Sequence, residues 1–252
     1  MQPAWAPLQN LPGSPPAGDE VWVFSFSTAP GPHLDGLEPL LDDCEAQRAG
    51  RLRSARARAE FVNGRGFLRL LLGGLLGHDP RGVRLATAGN GKPVLAETTG
   101  LPLFFNIAHS HGMGLLAVAS HAELGVDIER LRDVTDRASL ARRYFHPSEV
   151  ICLEGLTGEA QQRLGFFHAW TRKEAFLKAT AVGIGFGLDR VEVTLEPGHP
   201  ARLLRIDGCE QTAAPWTLEH LEPGEGWLAA LALRAPCGKL VTAHADLAKM
   251  ME

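Results

Sequence analysis

The sequence predicts an α+β protein made of two similar halves, each a small, mostly antiparallel sheet with packed helices. Three observations carry this. The chain has 252 residues, enough for one large domain or two small ones. In each half a stretch of helical period is followed by several short strand-like runs. The composition is that of an ordinary globular chain, 45% hydrophobic and 21% charged.

Residues 1–19 hold Pro3, Pro7, Pro12, Pro15 and Pro16 and read as a flexible N-terminal tail. The N-terminal half spans 20–121. Its residues 21–27 are rich in β-branched and aromatic side chains and read as a first strand. Over 54–76, Phe61, Phe67, Leu68, Leu71, Leu72 and Leu75 fall near 3.6-residue spacing. Ser54 is placed as the N-cap of this helix, and Gly77 followed by Pro80 as its stop. Strand-like runs follow at 83–87, 93–96, 103–108 and 115–119. The C-terminal half spans 122–252 and opens with a run at 124–128. A helical pair is expected at 135–144 and 147–156, then a longer helix over 159–180 ended by Gly183, Gly185 and Gly187. Further strands are expected at 191–195, 202–206, 216–221 and 227–233.

Gross features narrow the function. The balance of 25 Lys+Arg against 29 Asp+Glu argues against a nucleic-acid binder working by bulk charge. No segment reaches the ~18 apolar residues of a membrane-spanning helix, and no signal peptide opens the chain. Cys44, Cys152, Cys209 and Cys237 are scattered without a CxxC pair, as expected of reduced thiols in a cytoplasmic protein. No Gly-x-Ser-x-Gly elbow supports a hydrolase. Only five of the 25 basic residues are lysines: Lys92, Lys173, Lys178, Lys239 and Lys249.

Four local patterns can carry chemistry. In Gly125-Val126-Asp127-Ile128-Glu129, side chains two apart on a strand share a face, so Asp127 and Glu129 stand side by side. Paired carboxylates suit a hard cation such as Mg²⁺, or form a solvated acidic edge. In Trp170-Thr171-Arg172-Lys173-Glu174-Ala175-Phe176-Leu177-Lys178-Ala179, Glu174 and Lys178 are one helical turn apart. They are either an ordinary surface pair or a base and a phosphate-neutralising amine. Gly89-Asn90-Gly91-Lys92-Pro93 lacks the Walker pattern but can still touch a phosphate from a hairpin turn. In Phe105-Asn106-Ile107-Ala108-His109-Ser110-His111, a phosphate or ribose contact from His109 fits better than a metal bound by His109 and His111.

These patterns follow one order: Gly-Lys-Pro at 91–93, Phe-Asn-Ile-x-His-Ser at 105–110, Gly-Val-Asp-Ile-Glu at 125–129, Phe145 with Glu149, and Trp-x-x-Lys-Glu-Ala-x-x-Lys-Ala at 170–179. The series resembles the Sfp-type 4′-phosphopantetheinyl transferases over roughly residues 21–195. The resemblance implies two halves related by a pseudo-twofold, with the active site between them. It implies transfer of the 4′-phosphopantetheine arm of coenzyme A to a serine of an apo acyl, peptidyl or polyketide carrier protein, releasing adenosine 3′,5′-bisphosphate. By position, Asp127, Glu129 and Glu174 are expected to be Mg²⁺ ligands, with Glu174 also the base for the serine. Lys178 is expected to stabilise the leaving phosphate and Lys173 the pyrophosphate, and Glu149 to lie near the metal or the carrier serine. Arg48, Lys92, Asn106 and His109 are expected to contact coenzyme A, His109 at its 3′-phosphate.

Three departures stand out. Ala108 replaces a Ser, with an expected weakening of the 3′-phosphate contact; Thr87 stands where relatives can carry a base; Ala181 replaces a frequent Gly. Two other readings remain open. One is a non-catalytic relative that binds coenzyme A or a carrier. The other is a Mg²⁺-dependent nuclease, for which Arg130 and Leu131 after Glu129 leave the required Lys missing. Two similar halves can build a site within one chain, so a monomer is expected, with no nucleic-acid or membrane partner.

Overall fold

The computed structural model describes residues 3–88, 91–96 and 102–251. In chain order these form β1 (Ala6–Pro7), β2 (Glu20–Ser27), α1 (Leu34–Leu37), α2 (Asp43–Arg51), α3 (Ala55–Leu76), β3 (Leu85–Thr87), β4 (Pro93–Leu95), β5 (Phe104–Ser110), β6 (Met113–Ala119) and β7 (Leu124–Arg130). There follow α4 (Arg137–Tyr144), α5 (Pro147–Gly155), α6 (Glu159–Thr180), β8 (Val191–Val193), β9 (Leu203–Ile206), α7 (Glu210–Ala213), β10 (Thr217–Leu221), β11 (Trp227–Leu233) and β12 (Lys239–Ala245). Gly89 and Asn90 of the Gly-Lys-Pro turn lie outside the described residues.

Strand alternation builds a four-layer stack of helix, sheet, sheet and helix. One sheet has the order β1-β12-β2-β6-β5 and the other β10-β11-β7. On β2 and β6, Phe24, Phe26, Leu116 and Val118 face α3 and meet Phe67, Leu68, Leu71 and Leu72. The alternate residues Val21, Val23, Leu115 and Ala117 turn to the other sheet and pack on Val126, Ile128, Ala229 and Leu231. The outer face of the second sheet, Leu228, Ala230 and Ala232, then packs on Phe176, Leu177 and Ala179 of α6. Each half thus lays one 22-residue helix on its own sheet, and the sheets share a third core between them.

The two long helices end alike. Ser54 caps α3, its hydroxyl accepting from the Ala57 amide, and Gly77 closes it at φ 66°. α6 is closed by Ala181 at φ 56°, so the residue that stands in place of a frequent Gly holds the left-handed conformation that favours one.

Three features of the fold are added by the structure. The first sheet is mixed, because β12 runs parallel to β2, and β1 parallel to β12. The C-terminal half does not keep its last strand: β12 joins the N-terminal sheet, and Ala243, Ala245 and Leu247 enter that core. The Pro-rich N-terminal segment is docked on β12. Thr242 Oγ1 donates to the Ala4 carbonyl at 2.8 Å, the Leu8 amide donates to the His244 carbonyl at 2.8 Å, and Trp5 stacks on the His244 ring at 5.3 Å. Proline spacing does not show the apolar anchors Trp5, Leu8 and Leu11, which pack on the cores.

Candidate active site

β5 and β7 are edge strands of different sheets, and side chains tie them together. Asn106 Oδ1 accepts from the Val126 amide at 2.9 Å, and Ser110 Oγ donates to Glu129 Oε2 at 2.8 Å. The residue offsets are four along β5 and three along β7 in the same direction, so both strands bring their C-terminal ends to one crevice.

β7 presents Gly125, Asp127 and Glu129 on the face opposite its core residues Leu124, Val126 and Ile128. Because Gly125 has no side chain, the backbone of α6 lies directly on the strand around Ala175 and Ala179. That contact sets Glu174 and Lys178 beside Asp127. Lys178 Nζ donates to Asp127 Oδ1 at 2.5 Å. Asp127 is only 6% exposed, and its Oδ2 is buried without a hydrogen-bond partner. Burial pushes the Asp127 carboxyl up to about 6, against the pull of Lys178, and the charge of Glu129 adds to the rise. Burial also raises Glu174, helped by the charge of Asp127 and opposed by Lys178. Ser110 donates to Glu129, so its oxygen is left to accept from His111 Nδ1–H, 2.8 Å away.

The three carboxylates expected as metal ligands therefore meet in one crevice. They do not form a closed cage: among the described residues no cluster of three His, Cys, Asp or Glu groups stands close enough to hold a metal ion. Lys178 instead neutralises Asp127. The orphaned Asp127 Oδ2 is the oxygen that a hard cation would satisfy.

Other expected site residues are placed differently. Lys173 is 0% exposed, and its ammonium bonds Glu149 Oε2 at 2.5 Å, the Leu188 carbonyl at 2.8 Å and the Val191 carbonyl. These bonds use all three of its N–H donors, so none is left for a pyrophosphate. Glu149 is equally committed, accepting from the Val193 amide at 2.8 Å and the His146 amide at 2.9 Å. This pair joins α5, α6 and β8 inside the second half and is not part of the crevice. Lys92 is 7% exposed and bonds Glu123 Oε2 and the Leu124 carbonyl, at the start of β7. Asn106 is buried and spends its carbonyl oxygen joining the halves. Both were expected on coenzyme A; Asn106 ties β5 to β7, and Lys92 holds the start of β7. Ala108 turns into the core between the sheets at 5% exposure, among apolar side chains.

His109 is exposed on β5. Arg48 is exposed on α2, with its guanidinium 4.9 Å over the Phe61 ring. Sequence reasoning missed the roles of Gly125 and Ser110. A glycine inside a strand is the signal for the first, marking close approach of another backbone. The second has no local signal, since Ser110 and Glu129 are far apart in the chain.

A buried carboxylate, a second carboxylate raised by burial and by the charge of the first, and an ammonium held between strand and helix are groups that suit phosphate transfer. Residues 123–232 match the 4′-phosphopantetheinyl transferase superfamily. The chain is 37% identical to the 4′-phosphopantetheinyl transferase HetI of Nostoc sp. over 235 residues, covering 92% of this chain and 94% of HetI. It is 30% identical to the human L-aminoadipate-semialdehyde dehydrogenase-phosphopantetheinyl transferase over 234 residues, 86% of this chain and 75% of the human protein. It is also 30% identical to a phosphopantetheinyl transferase of Thraustochytrium sp. over 221 residues, 82% and 76% of the two chains. This chain belongs to the 4′-phosphopantetheinyl transferase superfamily.

Proposed function

We propose that the crevice between β5, β7 and α6 transfers the 4′-phosphopantetheine arm of coenzyme A to a serine hydroxyl of an apo carrier protein, releasing adenosine 3′,5′-bisphosphate. The observation that carries this reading is the grouping of Asp127, Glu174 and Lys178. Glu174 takes the serine proton; its raised pKa makes it a stronger base than an exposed glutamate. The serine oxygen forms a bond to the phosphorus that bears the pantetheine. The bond from that phosphorus to the bridging oxygen breaks, and the electron pair leaves with the bisphosphate. Lys178 exchanges Asp127 for the leaving phosphate and stabilises its new charge. The unpartnered Asp127 Oδ2 suits Mg²⁺; with Glu129 and Glu174 drawn towards it, the three carboxylates would hold the ion, which would supply charge neutralisation for the transfer.

His109 and Arg48 contact coenzyme A from the N-terminal half, His109 towards the 3′-phosphate. The enzyme acts as a monomer in the cytoplasm, without nucleic-acid or membrane partners. The four free thiols Cys44, Cys152, Cys209 and Cys237 support a reducing compartment. Incubation with coenzyme A, Mg²⁺ and a panel of apo carriers tests the reading. Gain of one phosphopantetheine mass on a carrier is expected. No gain on any of them contradicts it and favours a protein that only binds coenzyme A or the carrier.

A further inference from the structure

One aromatic ring on α3 carries two guanidinium groups. The Arg48 Cζ stands 4.9 Å from the centroid of the Phe61 ring, and the Arg65 Cζ stands 5.8 Å from it. Among the described residues Arg48 has no ion-pair partner, so the ring holds it without using its N–H donors. Arg65 faces Glu45 at 3.6 Å, but Glu45 makes its closer bond, at 2.5 Å, to Arg69. The placement of Arg48 over the ring is built from below. Arg69 is 0% exposed and bonds Asp42 and Glu45, the capping-box pair of α2. Its Nη1 also donates to the Val83 carbonyl at 2.9 Å. The first turn of α2 is thereby fixed on α3, and Arg48, in the last turn, comes to lie over Phe61.

The direction of this group follows from helix geometry. Asn63 Nδ2 donates to the Ala29 carbonyl, just after β2, at 3.0 Å. A carbon on Gly64 would stand 3.3 Å from Ile107 of β5. Each residue turns about 100° around the axis. From β2 to β5, the next step carries Arg65 past the outer edge of β5, and Phe61, one turn before Arg65, shares its face. That edge is the wall of the crevice given by the N-terminal half, tied to β7 by Asn106. His109 lies on the same face of β5 as Ile107 and is exposed. Burial lowers the Arg65 pKa, Glu45 opposes the fall, and the charge of Arg48 adds to it. A doubly charged phosphate between the two arginines relieves their repulsion.

We infer that Phe61 is a positioning residue that holds Arg48 and Arg65 as a two-guanidinium clamp for the 3′-phosphate of coenzyme A. This rests on the transferase reading above. The test compares coenzyme A with dephospho-coenzyme A, which lacks that phosphate, in binding by calorimetry and in steady-state transfer. The wild type is expected to bind dephospho-coenzyme A more weakly. Phe61→Leu keeps every charge. It is expected to raise KM for coenzyme A about fivefold, with kcat and the KM for dephospho-coenzyme A held within about twofold. Phe61→Tyr keeps a ring and is expected to restore KM for coenzyme A to within about twofold of the wild type. Arg65→Gln is expected to raise KM for coenzyme A about tenfold with the same selectivity, and it decides the matter if Phe61→Leu does not fold. An unchanged KM in Arg65→Gln, an equal loss on both nucleotides, or a Tyr variant no better than Leu would overturn the inference. So would a wild type that does not bind coenzyme A or does not distinguish the two nucleotides. A wild type that binds coenzyme A through the clamp yet transfers no arm keeps the clamp and sinks the transferase reading, so the two failures are distinguishable.

Discussion

A carbon placed on Gly125 would stand 2.2 Å from the carbonyl oxygen of Ala175 and 2.3 Å from the amide nitrogen of Ala179. The bare glycine thus sets the distance between β7 and α6, and with it the reach of Lys178 to Asp127. Backbone cannot yield as a flexible side chain can. Gly125→Ala is expected to cost about 1–3 kcal/mol or more and to lower transfer further than stability alone explains. Urea denaturation and transfer rates, taken where the variant is still folded, check both parts.

Asp127 sets a stability trade that changes with pH. Its carboxyl ionises near 3.8 when unfolded and at about 6 in the fold. The folded chain therefore holds the extra proton in that window, and stability falls as pH rises through it. Asn stays neutral throughout. In metal-free buffer Asp127→Asn is expected to gain on the wild type across the window, by at most ~3 kcal/mol above it, and to show no gain below it. The same variant is expected to lose transfer. Thermal melts at several pH values, with and without Mg²⁺, read the two effects.

Ala181 ends α6 in a conformation that costs a residue with a side chain roughly 1–2 kcal/mol. Ala181→Gly is expected to raise the melting temperature, with transfer unchanged. A fall in melting temperature would show that the left-handed cap carries no strain.

The buried Glu149–Lys173 pair is expected to act through stability. Glu149→Gln leaves the Lys173 charge uncompensated in an interior that already pulls its pKa down, at a cost of about 3–5 kcal/mol. Combining it with Lys173→Met is expected to restore part of the loss. KM for coenzyme A in the double variant, measured below its melting temperature, is expected to stay within about twofold of the wild type.

What the sequence made legible was local. Helical spacing placed α6 at the residues the structure gives it, and strand spacing put Asp127 and Glu129 on one face. The motif order led to the right family. The docking of β12 on β2 was not legible, because it joins Lys239 to Glu20 across most of the chain. Asp42 and Glu45 form a capping box that marks the start of α2, and their three-residue spacing is its signal in the sequence. The burial of Lys173 is not visible in the motif it shares with Glu174. Neighbours on a helix point about 100° apart, so one enters the core while the next faces the crevice. The bonds of Asn106 and Lys92 to β7 were not legible either, because they join residues 20 and 32 apart in the chain.

The most direct test of the Asp127–Glu174–Lys178 account is the transfer rate of Glu174→Gln at saturating coenzyme A, Mg²⁺ and apo carrier. Gln keeps the size of the side chain but can neither take the serine proton nor carry a negative charge. A rate lower by about 10²–10⁴-fold is expected, with the fold and coenzyme A binding retained. A rate within about twofold of the wild type would contradict the assignment of Glu174 as the base.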